Sequence, residues 1–154
     1  ALYAPTNNVC MDYYLNPVNP TVGGYHSSAV SRKISVPEGD EQIGIFSAVD
    51  VSSGETLWSY KQRAAITGSV LTTGGGLAFV TDDARRLRAF DVDNGRILWE
   101  QILNSSAGGF PTTYSVDGTQ YIAIAAGGGV SHRALTPEIQ QRRGGNTLFV
   151  FRLP

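Results

Sequence analysis

Few residues of this chain have the type and spacing that chemistry demands. His26 and His132 sit in separate insertions, far apart in sequence. They could share a metal, but two solvated loop histidines are the preferred reading. Asp91-Val-Asp93-Asn94-Gly95 has the carboxylates of a calcium loop. Its glycine falls one place early, however, and Ile102 stands where the final glutamate ligand is required. The glycine runs lack the G-x-G-x-x-G spacing and the Gly-Lys-Ser/Thr that cradle phosphates. No nucleophile elbow and no Cys/His pairing points to hydrolysis. Asn104-Ser105-Ser106 has the form of a glycosylation sequon. Cys10 is the only cysteine, so it forms no internal disulfide, and it reads as a small apolar residue on a strand. No catalytic side chain can be assigned here.

Composition narrows the partners. A chain of 154 residues suffices for one ordinary domain with a real core. Twelve basic against 13 acidic residues leave no electrostatic footprint for nucleic acid or an anionic membrane. No apolar run approaches the roughly 18 residues of a membrane helix, and no signal peptide opens the chain. Ala1-Leu2-Tyr3-Ala4-Pro5 reads instead as the middle of a strand, so the chain is expected to be the tail of something longer. Only 16% of residues are charged while 18 are glycine. That balance suits tight turns between many strands on a surface that is largely covered in the working protein.

The elements that must position any site come from one phrase written twice. Ala48 to Trp58 and Ala89 to Trp99 both read A-x-D-x-x-x-G-x-x-L-W, at a period of about 40 residues that marks a repeat architecture of short β-strands. Residues 66–102 predict one complete unit. Its strands are Gly68 to Thr73, Leu77 to Thr81, Leu87 to Asp91 and Arg96 to Glu100, with turns at Gly74-Gly75-Gly76 and at Asp93-Asn94-Gly95. Asn-Gly tolerates the positive φ of a type I′ turn. Leu2 to Pro5, Ile45 to Asp50 and Thr56 to Trp58 are expected strands of the preceding unit, interrupted by an insertion at 11–43. Pro111 to Tyr114, Gln120 to Ala125 and Thr147 to Phe151 belong to the following one, interrupted at 127–146, where Pro137 to Arg142 could form a short helix. The domain reading is therefore a partial blade at 1–65, a complete blade at 66–102 and a closing blade at 103–154. The fold class is all-β: about three antiparallel propeller blades of up to four strands each.

The wording of the phrase has a physical reading. A tryptophan at a fixed place fills the gap between adjacent blades. The glycine four positions earlier accepts a turn conformation that a Cβ would strain and lets a neighbouring indole approach. The aspartate caps the turn. Trp58 and Trp99 are thus expected to be structural and buried between blades, with Trp99→Ala costing about 3–5 kcal/mol.

Taken with its surroundings, the phrase resembles the pyrroloquinoline quinone (PQQ) dependent alcohol dehydrogenases, quinoproteins with an eight-bladed propeller. The matching stretches are Asn7 to Asp12, Ala48 to Trp58, Thr72 to Phe79, Ala89 to Trp99, Pro111 to Tyr114, Asp117 to Tyr121 and Gly127 to Gly129. The ending Gly145 to Pro154 is similar to the closing blade of that family. The resemblance implies a C-terminal fragment of the propeller and a periplasmic location. It implies a two-electron oxidation of an alcohol or sugar alcohol by PQQ, with Ca²⁺ or a lanthanide polarising the quinone and a carboxylate base taking the alcohol proton. The family's metal ligands, base, vicinal cysteines and stacking indole fall upstream of Ala1 and match no residue here. What the resemblance leaves to this chain is pocket wall: the first strand of each blade lines the axis, so Thr67, Gly68 and Ser69 should face the cofactor. Some members have Trp at the place of Thr67. The implied partners are the remaining blades, supplied by another chain or by self-association, the alcohol and an electron acceptor such as cytochrome c. The alternative reading is a propeller scaffold for protein–protein interaction with the same repeats and no cofactor.

Overall fold

The computed structural model describes the chain except residues 16, 18, 20, 25–29, 128–131, 133, 140–144 and 154, with backbone only at 30–32. Twelve strands and no helix are found among the described residues. β6 (Ile66–Thr72), β7 (Leu77–Asp82), β8 (Arg86–Asp91) and β9 (Ile97–Ile102) form a four-stranded antiparallel meander. On one side lies a sheet of β1 (Leu2–Asn7), β4 (Gly44–Val49) and β5 (Thr56–Gln62). On the other lies a sheet of β10 (Thr112–Val116), β11 (Thr119–Ala126) and β12 (Thr147–Arg152).

Strand alternation explains the stacking. Side chains on successive residues point to opposite faces, so the central meander feeds two cores. Ala78, Val80 and Phe90 pack with Phe46 and Ile66 toward the first sheet, while Phe79, Leu87 and Ala89 pack with Ile122 and Ile124 toward the third. β7 is therefore buried on both faces along nearly its whole length.

A buried ionic cluster also joins the first two sheets. Arg88 Nη1 donates to Asp82 Oδ2 at 2.7 Å and to Gln62 Oε1 of β5 at 2.6 Å, and its Nε donates to Glu100 at 2.6 Å. Burial opposes the charge on Arg88, but Asp82 and Glu100 hold the guanidinium above its ordinary pKa.

Both copies of the repeated phrase build the same local structure. Asp50 Oδ1 accepts from Ser52 N and Ser53 N at 2.7 and 2.9 Å, and Asp91 Oδ1 accepts from Asp93 N at 2.9 Å. The bonds from the Ser53 and Ser52 amides keep the exposed Asp50 carboxyl below the usual carboxylate pKa. A register shift follows Ala48 in one copy and Ala89 in the other. The second turn is not type I′, because only Gly95, at φ +72°, has a positive φ in it. A longer loop is closed instead by Gly95 N donating to Asp91 O and Asp91 N to Arg96 O, both at 2.9 Å.

The two indoles diverge. Trp58 is half-buried: its Nε1 donates to Val92 O at 2.9 Å and its ring meets Phe46 edge-on at 5.2 Å. Trp99, expected buried, is 38% exposed. It meets Phe151 at 5.2 Å across a cleft of about 500 Å³, and no described residue covers it as Val92 and Gly95 cover Trp58. Trp99→Ala should therefore cost about 2 kcal/mol and Trp58→Ala, which also loses a hydrogen bond, about 3, as denaturant titration of the two variants would show.

Two further expectations need correction. The 11–43 insertion is not merely a loop: it contains the antiparallel pair β2 (Cys10–Leu15) and β3 (Val30–Ser35). Tyr13, Tyr14 and Leu15 stay exposed there, so no buried face announced the pair in the sequence. Cys10 starts β2, as expected of a residue on a strand, and is exposed. Pro137, Glu138 and Ile139 form a turn, with Ile139 N donating to Thr136 O at 3.1 Å, rather than starting a helix; residues 140–142 of that expectation lie outside the described residues. Arg63 holds this turn by donating to Leu135 O and to the Glu138 carboxylate at 2.6 and 2.7 Å.

Candidate functional site

Thr67, Gly68 and Ser69 are brought together at the start of β6, where pairing with β7 breaks register between Thr67 and Leu71. The break has a cause. Gly68 sits at φ +80°, and a Cβ there would lie 2.6 Å from Gly109 O and 3.0 Å from Thr81 Oγ1. Only glycine fits, because the left-handed backbone and the close carbonyl exclude any side chain. Thr67 Oγ1 donates to Ala107 O at 3.2 Å, and the buried Thr81 hydroxyl lies 2.6 Å from Thr67 O and 2.7 Å from Ala107 O. The β6 bulge is thereby fastened to the segment that leads from β9 to β10.

That segment opens into a cleft of about 650 Å³ lined by Gly108, Gly109, Ala125, Ala126, Gly127, Asn146, Thr147 and Leu148. The three residues expected from the sequence are not in its lining; they adjoin it through Gly109, whose carbonyl lies under Gly68. Of the missed lining residues, Gly127 alone had a signal, as the first of three consecutive glycines. Gly127, at φ +129°, packs on Asn146, whose Oδ1 a Cβ would overlap. The rest come from the β9–β10 segment, the end of β11 and the start of β12, which only the tertiary fold assembles.

Among the described residues, the lining of the cleft offers small residues, backbone carbonyls, one amide and one hydroxyl, and no titratable side chain. Among the described residues no group of three or more His, Cys, Asp or Glu could hold a metal. His26 lies outside the described residues, and His132, whose pKa burial lowers, joins no such group. Asn104 is occupied structurally, donating to Gly145 O at 2.9 Å and to Thr147 Oγ1 at 2.6 Å. Those bonds anchor the start of β12 beside the cleft.

Residues 60–122 match the family described as PQQ: glucose/ethanol/alcohol dehydrogenase, β-propeller domain. Over 99% of its length the chain is 32% identical to 1-butanol dehydrogenase (quinone) of Thauera butanivorans, and also over 99% it is 34% identical to the quinoprotein alcohol dehydrogenase PedH of Pseudomonas putida. It spans 25% and 26% of those two proteins. Among solved structures it is similar to a europium-containing methanol dehydrogenase, with a TM-score of 0.70 and 32% identity over 81% of this chain and 22% of that one. No helix among the described residues is long and apolar enough to cross a membrane. Sheet order, repeat chemistry and these likenesses agree: residues 60–122 carry the β-propeller domain of the PQQ glucose/ethanol/alcohol dehydrogenase family, and the chain as a whole is similar to quinoprotein alcohol dehydrogenases.

Proposed function

We propose that this chain is part of a PQQ-dependent dehydrogenase that oxidises an alcohol or sugar alcohol. It would supply about three blades, divided at 1–65, 66–102 and 103–154, and part of the cofactor-pocket wall. The observation that carries this reading is the likeness over 99% of the chain to a quinone-dependent butanol dehydrogenase. When bound, PQQ would supply the two-electron acceptor that no side chain here can provide. The chain's own part is to shape and dry the wall. Gly108, where a Cβ would meet nothing, leaves open space in the cleft for a flat ring to approach the backbone, while Gly68 and Gly109 let the segments of the wall pack closely. Thr67 is held by Ala107 O and gives that wall a fixed position. Thr67, Gly68 and Ser69 are the proposed contacts, with the cleft residues Gly109 and Gly127 beside them.

The metal, Ca²⁺ or a lanthanide, would be held by the remaining blades, and so would the catalytic base. Those blades, a small alcohol and an electron acceptor such as a cytochrome c would be the partners, in the periplasm. The test is a PQQ titration of the isotopically labelled chain in the presence of Ca²⁺. The expected result is amide shifts confined to residues 65–69, 107–109 and 125–127, with no dye-coupled alcohol oxidation by the chain alone. Shifts that avoid those residues would remove the wall assignment, and turnover would overturn the division of labour.

A further inference from the structure

The turn from β7 to β8 puts two carboxylates side by side inside the protein. Asp82 is 1% exposed and fully engaged: Oδ2 accepts from Arg88 and Gln62, and Oδ1 accepts from Arg86 N at 2.9 Å. Asp83 is 0% exposed, and neither of its carboxylate oxygens meets a donor. Its backbone, by contrast, is a joint. Asp83 N donates to Ala65 O at 2.9 Å, Ser106 Oγ donates to Asp83 O at 3.1 Å, and Ser106 O accepts from Gly127 N at 3.0 Å. That run of bonds links the start of β6, the 103–109 segment and the end of β11, which are the elements around the cleft.

Among the described residues no cation pairs with Asp83. Asp82 has the same sign. Arg88 is committed to Asp82, Gln62 and Glu100. Arg85, on the same turn, donates through Nη1 to Leu103 O, and its Nε is buried without a partner. Neither Ala64–Ile66 nor Ser105–Ala107 contributes a charged side chain. Burying an unpaired carboxylate costs far more than burying the neutral acid. Burial first, and the neighbouring Asp82 second, accordingly raise the Asp83 carboxyl to about 7.

We propose that Asp83 is a proton-held latch on the wall of the cleft: neutral, it lets the β7–β8 turn seat against the 103–109 segment; ionised, it drives them apart and loosens that wall. The sign follows from where the proton is bound. Closed Asp83 keeps its proton up to about pH 7, whereas an opened, hydrated one loses it near the ordinary carboxylate value of about 4. Opening is therefore favoured by up to about tenfold per pH unit between those limits and levels off above them. The latch concerns the protein's own wall and holds whether or not a quinone binds there.

The test is hydrogen exchange of the full chain, read by mass spectrometry for residues 103–109 and corrected for the intrinsic pH dependence of exchange, in the wild type and in Asp83→Asn. The expected ratio of wild-type to variant opening constants rises about tenfold per unit from pH 5 to 7 and is flat above, while the ratio for β8 does not change. His132, whose lowered pKa acts in the opposite sense, is present in both proteins and cancels. A ratio independent of pH, or one that rises equally in β8, overturns the latch. Should the variant not fold, carbon NMR of the wild type with labelled aspartate decides: an Asp83 carboxyl titrating near 7 supports the latch, and one titrating near 4 sinks it.

Discussion

Gly95→Val is expected to destabilise the protein by about 4 kcal/mol. Two costs add. A β-branched residue at φ +72° is strained by roughly 1–2 kcal/mol. Its Cβ would also lie 2.5 Å from Trp58 Cε3, so the indole must leave its seat, which adds about 1–3 kcal/mol. Leaving also breaks the bond from Trp58 Nε1 to Val92 O. The first copy of the phrase supplies the control. Gly54 has the same backbone, at φ +76°, but open space where its Cβ would go, so Gly54→Val should carry only the strain, about 2 kcal/mol. Denaturant titration of both variants measures the difference, and equal losses would show that the indole contributes nothing at Gly95.

Arg88→Met should cost about 3–5 kcal/mol, because it leaves Asp82 buried and without its counter-charge. The loss is larger than that of an exposed pair such as Arg63–Glu138, whose side chains are 38% and 51% exposed. It should also loosen the first two sheets from one another, since Arg88 Nη1 bridges to Gln62 of β5. A double variant, Arg88→Met with Asp82→Leu, should recover most of the loss by removing the stranded charge. Equilibrium unfolding of the single and double variants checks both statements; a single variant within about 1 kcal/mol of wild type would mean that Asp82 finds another partner.

Much of the fold was legible before any coordinates. The strands at 77–81, 87–91, 120–125 and 147–151 lie within β7, β8, β11 and β12, and the one at 111–114 overlaps β10 from Thr112 on, because alternating apolar residues bounded by Gly and Asp turns are local signals. The capping aspartates at 50 and 91 were legible for the same reason: their partners lie two or three residues away. The β2–β3 pair was not, since its exposed Tyr13, Tyr14 and Leu15 show no buried stripe. Of the candidate site, the sequence and its family likeness pointed to Thr67, Gly68 and Ser69. The cleft itself, made of residues from 108 to 148, was beyond their reach.

The sequence by itself determined the repeat, its turn chemistry and the strand character of each segment, all of which act over a few residues. Only the tertiary structure decided which of two identically worded tryptophans is covered, which of two adjacent aspartates has a partner, and which glycines from distant strand ends share one cleft. Burial and charge pairing depend on what packs opposite a side chain, and the residues opposite Trp58, Asp82 and Gly68 are Gly95, Arg88 and Gly109. The first of those partners is set by which sheets stack, and the other two by how neighbouring strands and the β9–β10 segment fold back on one another, which the spacing within a strand does not encode.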